Sequence, residues 1–116
     1  MSNMKITVGG AIEDEAARGF VDAWRRAERG KSFRERHLTF ESWAALARVL
    51  TGKRMELLRY VRRHEVASVR ALAKALARDY SNVHADVQAL TAAGLLDTTD
   101  GGVRADYDAI ETKIAI

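Results

Sequence analysis

The 116 residues contain no cysteine and no proline. Without cysteine there is no disulfide framework, no thiolate zinc site and no thiol nucleophile, and the chain suits a reducing compartment. Without proline nothing breaks the periodic stretches, which are rich in alanine, leucine, arginine and glutamate, so helices are favoured. Long apolar runs are also missing: stretches such as Trp43 to Leu50 are interrupted by charge, and the first residues lack the basic, apolar and small-residue order of a signal peptide. The expectation is a cytoplasmic protein with no membrane partner. The histidines at 37, 64 and 84 stand too far apart for a helical metal pair. Gly9-Gly10 and Gly101-Gly102 lack the lysine and threonine context of a phosphate-binding loop, and no Ser/His/Asp or paired-carboxylate arrangement is present. The expectations that follow are no catalysis, no cofactor and no metal.

What is present is one domain's worth of chain, 47% hydrophobic, with a net charge of +3. That charge is unevenly placed. Residues 53 to 78 carry eight basic side chains (Lys53, Arg54, Arg59, Arg62, Arg63, Arg70, Lys74, Arg78) against Glu56 and Glu65, a net of +6. Residues 79 to 116 set Arg104 and Lys113 against seven acidic residues, a net of −5. A concentrated basic block is either a solvated helical face or the footprint of a polyanion.

The periodicity divides the chain into elements. Met4, Ile6 and Val8 alternate with polar or small residues before Gly9-Gly10, which reads as a strand and turn. Ala16, Phe20, Trp24 and Ala27 recur at helical spacing from Glu13 to Glu28, and the aperiodic charged segment Lys31 to His37 reads as a hinge. Thr39 is placed to cap a helix with the stripe Trp43, Leu46, Ala47 and Leu50, in which Trp43 is a core residue. Thr51-Gly52 opens the next, with Leu57, Leu58 and Val61 inward and Arg59, Arg62 and Arg63 outward. Ser68 caps a third helix over Val69, Leu72, Ala73 and Leu76. A turn of Asp79, Tyr80 and Ser81 leads to a fourth helix, Ser81 to Ala93, with Val83, Val87 and Leu90 inward and Gly94 as its stop. Leu95 to Thr98 and Val103 to Asp106 flank an Asp100-Gly101-Gly102 turn and read as a hairpin. Ile110, Thr112, Ile114 and Ile116 predict a last strand able to pair with Met4 to Val8 of its own chain or a partner's.

The predicted fold class is therefore mainly α with a small β component, a winged helix-turn-helix preceded by an N-terminal strand and helix. Residues 1–37 form the extension, and residues 38–116 the domain with its C-terminal strand. Two helices across a short turn followed by a Gly-turned hairpin are the parts of a motif that lays its second helix in the major groove of double-stranded DNA. With Val83, Val87 and Leu90 inward, the opposite face carries Ser81, Ala85, Gln88, Ala89 and Ala92, with Asn82 and His84 on the flanks. Small side chains let a helix approach the groove floor, Asn and Gln match the paired donor and acceptor of adenine, and an alanine methyl meets that of thymine. The helix start offers free N–H groups to a phosphate. The base-reading candidates are Ser81, Asn82, His84, Ala85 and Gln88. Arg70, Lys74 and Arg78, four residues apart, are candidate phosphate clamps with Tyr80 and the hairpin's Arg104. Against each stands an ordinary solvated surface.

The run LARVLTGKRMELLRYVRRHEVASVRALAKALARDYSNVHADVQALTAAGLL, with the hairpin and the YDAIETKI tail, resembles the MarR-like winged-helix DNA-binding proteins often encoded beside small toxins. LTGKR, RDYSNVHADVQAL and GLL carry the likeness, which spans Thr39 to Ile116. The resemblance implies a prokaryotic antitoxin that neutralises a partner toxin and represses its own operon, with Arg78, Tyr80, Ser81, Asn82 and His84 at the DNA. This chain has Ala85 where that family often has a basic residue.

Phe20 and Trp24 on the extension are candidates for a homodimer seam or a toxin contact, or they pack on the chain's own core. Two other functions compete with repression. One is a winged-helix adaptor that binds protein and no DNA. The other is a ligand-responsive regulator, for which the chain has little room.

Overall fold

In the computed structural model, residues 3–9, 36–100 and 102–116 are described, and they hold five strands and four helices. In chain order these are β1 (Asn3–Val8), β2 (Arg36–Phe40), α1 (Trp43–Val49), α2 (Gly52–Arg63), α3 (Val69–Leu76), α4 (Tyr80–Ala93), β3 (Asp97–Thr99), β4 (Gly102–Arg104) and β5 (Ala109–Ile114). The strands form a three-stranded parallel sheet ordered β2-β1-β5 and the antiparallel pair β3-β4. The architecture is mixed α/β, which corrects the expectation of a mainly α chain with a small β component. The predicted helix Glu13 to Glu28, with Phe20 and Trp24, lies outside the described residues.

Two compact units divide the chain, Val49–Asp106 and the remainder. The boundary expected between residues 37 and 38 runs through β2. In the unit holding the parallel sheet, β1 is the middle strand, and Met4 through Val8 are all buried. Its two buried polar residues, Lys5 and Thr7, find partners on the neighbouring strands. Thr7 Oγ1 and His37 Nε2 of β2 share a 2.6 Å hydrogen bond, and Lys5 Nζ lies 3.9 Å from Glu111 Oε2 of β5. Burial of such groups is tolerable because they are paired. The alternation in Met4 to Val8 thus marks two buried faces, one apolar and one polar. β5 pairs with β1 of its own chain, Ile110 beside Met4 and Ile114 beside Val8.

β2 replaces part of the expected hinge, and Thr39 is a strand residue paired with Thr7. The cap of α1 is Ser42, whose Oγ accepts the Ala45 amide at 3.1 Å. Leu46 is buried, but Trp43 is 59% exposed, against the expectation of a core residue. The inward face of this helix is Leu46 with half-buried Ala45 and Val49, centred about 110° round the helix from Trp43, and Ala47 of the predicted stripe is exposed as well.

In the unit Val49–Asp106 the local signals act as the sequence suggests. Thr51 caps α2 by accepting the Arg54 amide, and Leu57, Leu58 and Val61 are buried while Arg59, Arg62 and Arg63 are exposed. Each buried leucine contributes on the order of 2 kcal/mol. Ser68 caps α3 by accepting the Ala71 amide at 3.0 Å, over buried Leu72 and Ala73. Gly94 ends α4 in a left-handed conformation, and the Leu95 amide donates to the Leu90 carbonyl at 2.8 Å, closing the last turn. The β3–β4 hairpin is tied down by Val66, whose carbonyl accepts the Val103 amide at 3.0 Å.

Candidate nucleic-acid interface

Helix α3 stops because Ala77 turns left-handed, with φ 53° and ψ 44°. Its amide donates to the Ala73 and Lys74 carbonyls, and the Arg78 amide donates to the Ala73 carbonyl at 3.0 Å. Three residues, Ala77 to Asp79, make the turn. Asp79 then caps α4, its carboxylate accepting the Asn82 amide at 3.3 Å. Tyr80 is therefore the first residue of the helix rather than part of the turn. The carboxylate of Asp79 also supplies an anion at the helix start, the end where a phosphate was expected to sit.

On α4 the buried stripe is Val83, Val87 and Leu90. The exposed residues include Ser81, Asn82, Ala85, Gln88 and Ala92, and His84 is half-buried. At about 100° per residue, Ser81, Ala85, Gln88 and Ala92 fall in one narrow stripe opposite the core. The stripe is uncharged, with small residues around one amide. This brings together four of the five base-reading candidates as solvent-facing groups, with His84 at the flank.

The cationic candidates divide. Arg70 is exposed, and its guanidinium carbon lies 4.6 Å from the centre of the Tyr80 ring, which in turn lies 5.7 Å from the His84 ring. A cation over an exposed ring is worth about 0.5–1 kcal/mol, enough to hold Arg70 beside the start of α4. Lys74 is exposed on α3. Arg104 is exposed on β4 and meets Asp106 at 3.2 Å. Arg78 does not extend the Arg70 and Lys74 stripe, because the helix ends at Leu76 and Ala77 redirects the chain. Its Nη2 instead donates to Asp86 Oδ2 at 2.8 Å, while Arg54 Nε donates to Asp86 Oδ1 at 3.0 Å. The side chains of Asp86, Arg54 and Arg78 are 14%, 18% and 20% exposed, so this is a largely desolvated triad. Arg54 also donates to the Val49 carbonyl at 2.9 Å.

Burial acts to raise the pKa of Asp86, but hydrogen bonds from Arg54 and Arg78, with the charges of both, outweigh it and hold the carboxyl below the ordinary aspartate range. The triad joins α2, the turn and α4, so it fixes how α4 is presented. Neither Arg54 nor Asp86 was a sequence candidate. The signal was there: Asp86 falls about 60° from the centre of the buried stripe, at its rim, where a carboxylate requires a cation.

Behind the hairpin lies an open cleft of about 640 Å³ whose lining includes Arg62, Arg63, His64, Glu65, Arg104 and Asp106. Its charges are of both signs. Among the described residues no group of three or more His, Cys, Asp or Glu is placed to hold a metal ion, and no helix is long and apolar enough to cross a membrane. The predicted partner residues Phe20 and Trp24 are outside the described residues.

Comparison with known proteins gives one family match. The HVO_A0114 family model aligns with residues 49–112, more than half of the chain, taking in α2, α3, α4, the β3–β4 hairpin and part of β5. No curated protein matches the sequence.

Proposed function

We propose that this chain, which belongs to the HVO_A0114 family, is a sequence-specific double-stranded DNA-binding repressor that reads bases with α4. The observation that carries the reading is the exposed, uncharged stripe Ser81, Ala85 and Gln88, flanked by Asn82, on a helix whose other face is buried. Such a stripe suits the floor of a major groove, where paired amide donors and acceptors distinguish bases. Affinity comes from elsewhere, because α4 has no lysine or arginine: Arg70 over Tyr80 and Lys74 on α3 are the backbone contacts, with Arg104 on the hairpin. Arg78 acts indirectly, by holding Asp86. The sequence resemblance further supports a role as a toxin-neutralising antitoxin that controls its own operon.

Fluorescence anisotropy with a labelled fragment of the chain's own promoter, against a scrambled duplex, tests the reading. Preference for the promoter fragment, with affinity falling steeply as salt rises, is the expected result. Equal binding to both duplexes, or none at moderate salt, overturns it.

One observation favours the adaptor reading: Arg78 is committed to Asp86, so fewer cations face solvent than the sequence suggests. An adaptor binds its protein partner with no salt-dependent DNA affinity, and the same titration separates the two.

A further inference from the structure

The edges of the parallel sheet are unequal. β2 is half-buried along its length except at Thr39, whereas five of the six residues of β5 are exposed. Ile114 is 47% exposed and Ile116 wholly so. An edge strand presents a row of backbone N–H and C=O groups ready for another strand. β5 carries β-branched side chains at alternate positions, Ile110, Thr112 and Ile114, in register with Met4, Ile6 and Val8 of β1, so they continue the apolar face of the sheet. Its other face carries Glu111 and Lys113.

We propose that β5 is a homodimer seam, pairing antiparallel with β5 of a second copy in a register centred on Thr112. The charge pattern selects both the occupant and the register. A two-fold interface must be self-complementary. Centred on Thr112, the pairing sets Glu111 opposite the second copy's Lys113, and Lys113 opposite its Glu111. Ile110 and Ile114 meet in the same reciprocal way. A register centred one residue to either side sets Glu111 or Lys113 against itself, which like-charge repulsion disfavours. The Glu111 side chain is 53% exposed, and Lys5 and Asn3 of β1 hold it in place on that face. The pairing turns two three-stranded sheets into one of six strands and doubles the number of α4 helices per particle. It does not depend on DNA binding.

Sedimentation velocity of the full chain tests this, with Glu111→Lys, Lys113→Glu and the double exchange. Wild type is expected to be dimeric at micromolar concentration. Each single variant places like charges opposite one another twice, and its dimer is expected to weaken about tenfold. The double exchange restores opposite charges, and so does an equimolar mixture of the two single variants; both are expected to recover the dimer. Circular dichroism melts establish that each single variant is folded, and recovery in the mixture excludes misfolding as the cause of its dissociation. A monomeric wild type, or single variants that dimerise as tightly as wild type, overturns the proposal. So does failure of both the mixture and the double exchange to recover the dimer.

Discussion

The guanidinium of Arg78 donates to the carboxylate of Asp86 at 2.8 Å, joining the turn to the second turn of the helix that follows it. Because Arg54 reaches the other oxygen from α2, one carboxylate fixes three segments. Orientation of α4 is thereby separated from contact with a ligand, and the two can be perturbed independently.

Replacing Asp86 with Asn removes the charge that both arginines share. Breaking a fully buried pair costs about 3–5 kcal/mol, and with side chains 14–20% exposed the expectation here is about 1–3 kcal/mol. Urea unfolding gives the difference directly. An unchanged midpoint would mean that solvent screens the triad.

The same carboxylate gives stability a defined acid limb. Its folded pKa is lowered, so its contribution is fully present above the unfolded value of about 3.9 and is lost as pH falls through the lower folded value. The stability gap between wild type and Asp86→Asn is therefore expected to be constant from about pH 5 to 7 and to shrink below about pH 4. A gap that grew on acidification would contradict the assignment.

Gly102 is a second fixed point. It has φ +122°, and a Cβ there would stand 1.8 Å from the Val66 carbonyl oxygen, the acceptor that anchors the hairpin. Gly102→Ala is expected to cost more than about 2 kcal/mol through strain and loss of the Val66–Val103 contact. Gly52, at the first position of α2, has nothing within 4 Å of an added Cβ. There the alanine is expected to be neutral or to stabilise by up to about 1 kcal/mol. Thermal melts of the pair check both signs.

Affinity and specificity are expected to respond to different substitutions. Lys74→Ala, removing an exposed cation on α3, should weaken all duplexes alike and reduce the slope of log K against log salt by about 0.9. Gln88→Ala should leave that slope unchanged and reduce discrimination at one base pair by about 1–3 kcal/mol. Anisotropy titrations at several salt concentrations, on promoter and single-base variants, separate the two.

How much of this could be read from the sequence follows from the range of each signal. Thr51, Ser68 and Gly94 act on backbone groups within a few residues, and Val83, Val87 and Leu90 form their stripe by helical geometry alone, so all were legible. β2 was not, because its partner β1 lies more than 25 residues away and the alternation in RHLTF is short, with only Leu38 and Phe40 apolar. That one strand also moved the cap from Thr39 to Ser42. The exposed face of α4 was legible from the position of its core. The loss of Arg78 from the basic stripe was not, since it depends on Ala77 adopting a left-handed conformation that non-glycine residues seldom take.

The most direct measurement is an amide chemical-shift titration of the isotopically labelled chain with a duplex from its own promoter. The expected result is shifts concentrated at Ser81, Asn82, Ala85 and Gln88, with smaller ones near Arg70, Lys74 and Arg104, and none from a scrambled duplex at the same salt. Shifts that leave α4 untouched, or that are identical with both duplexes, would contradict base reading by this helix.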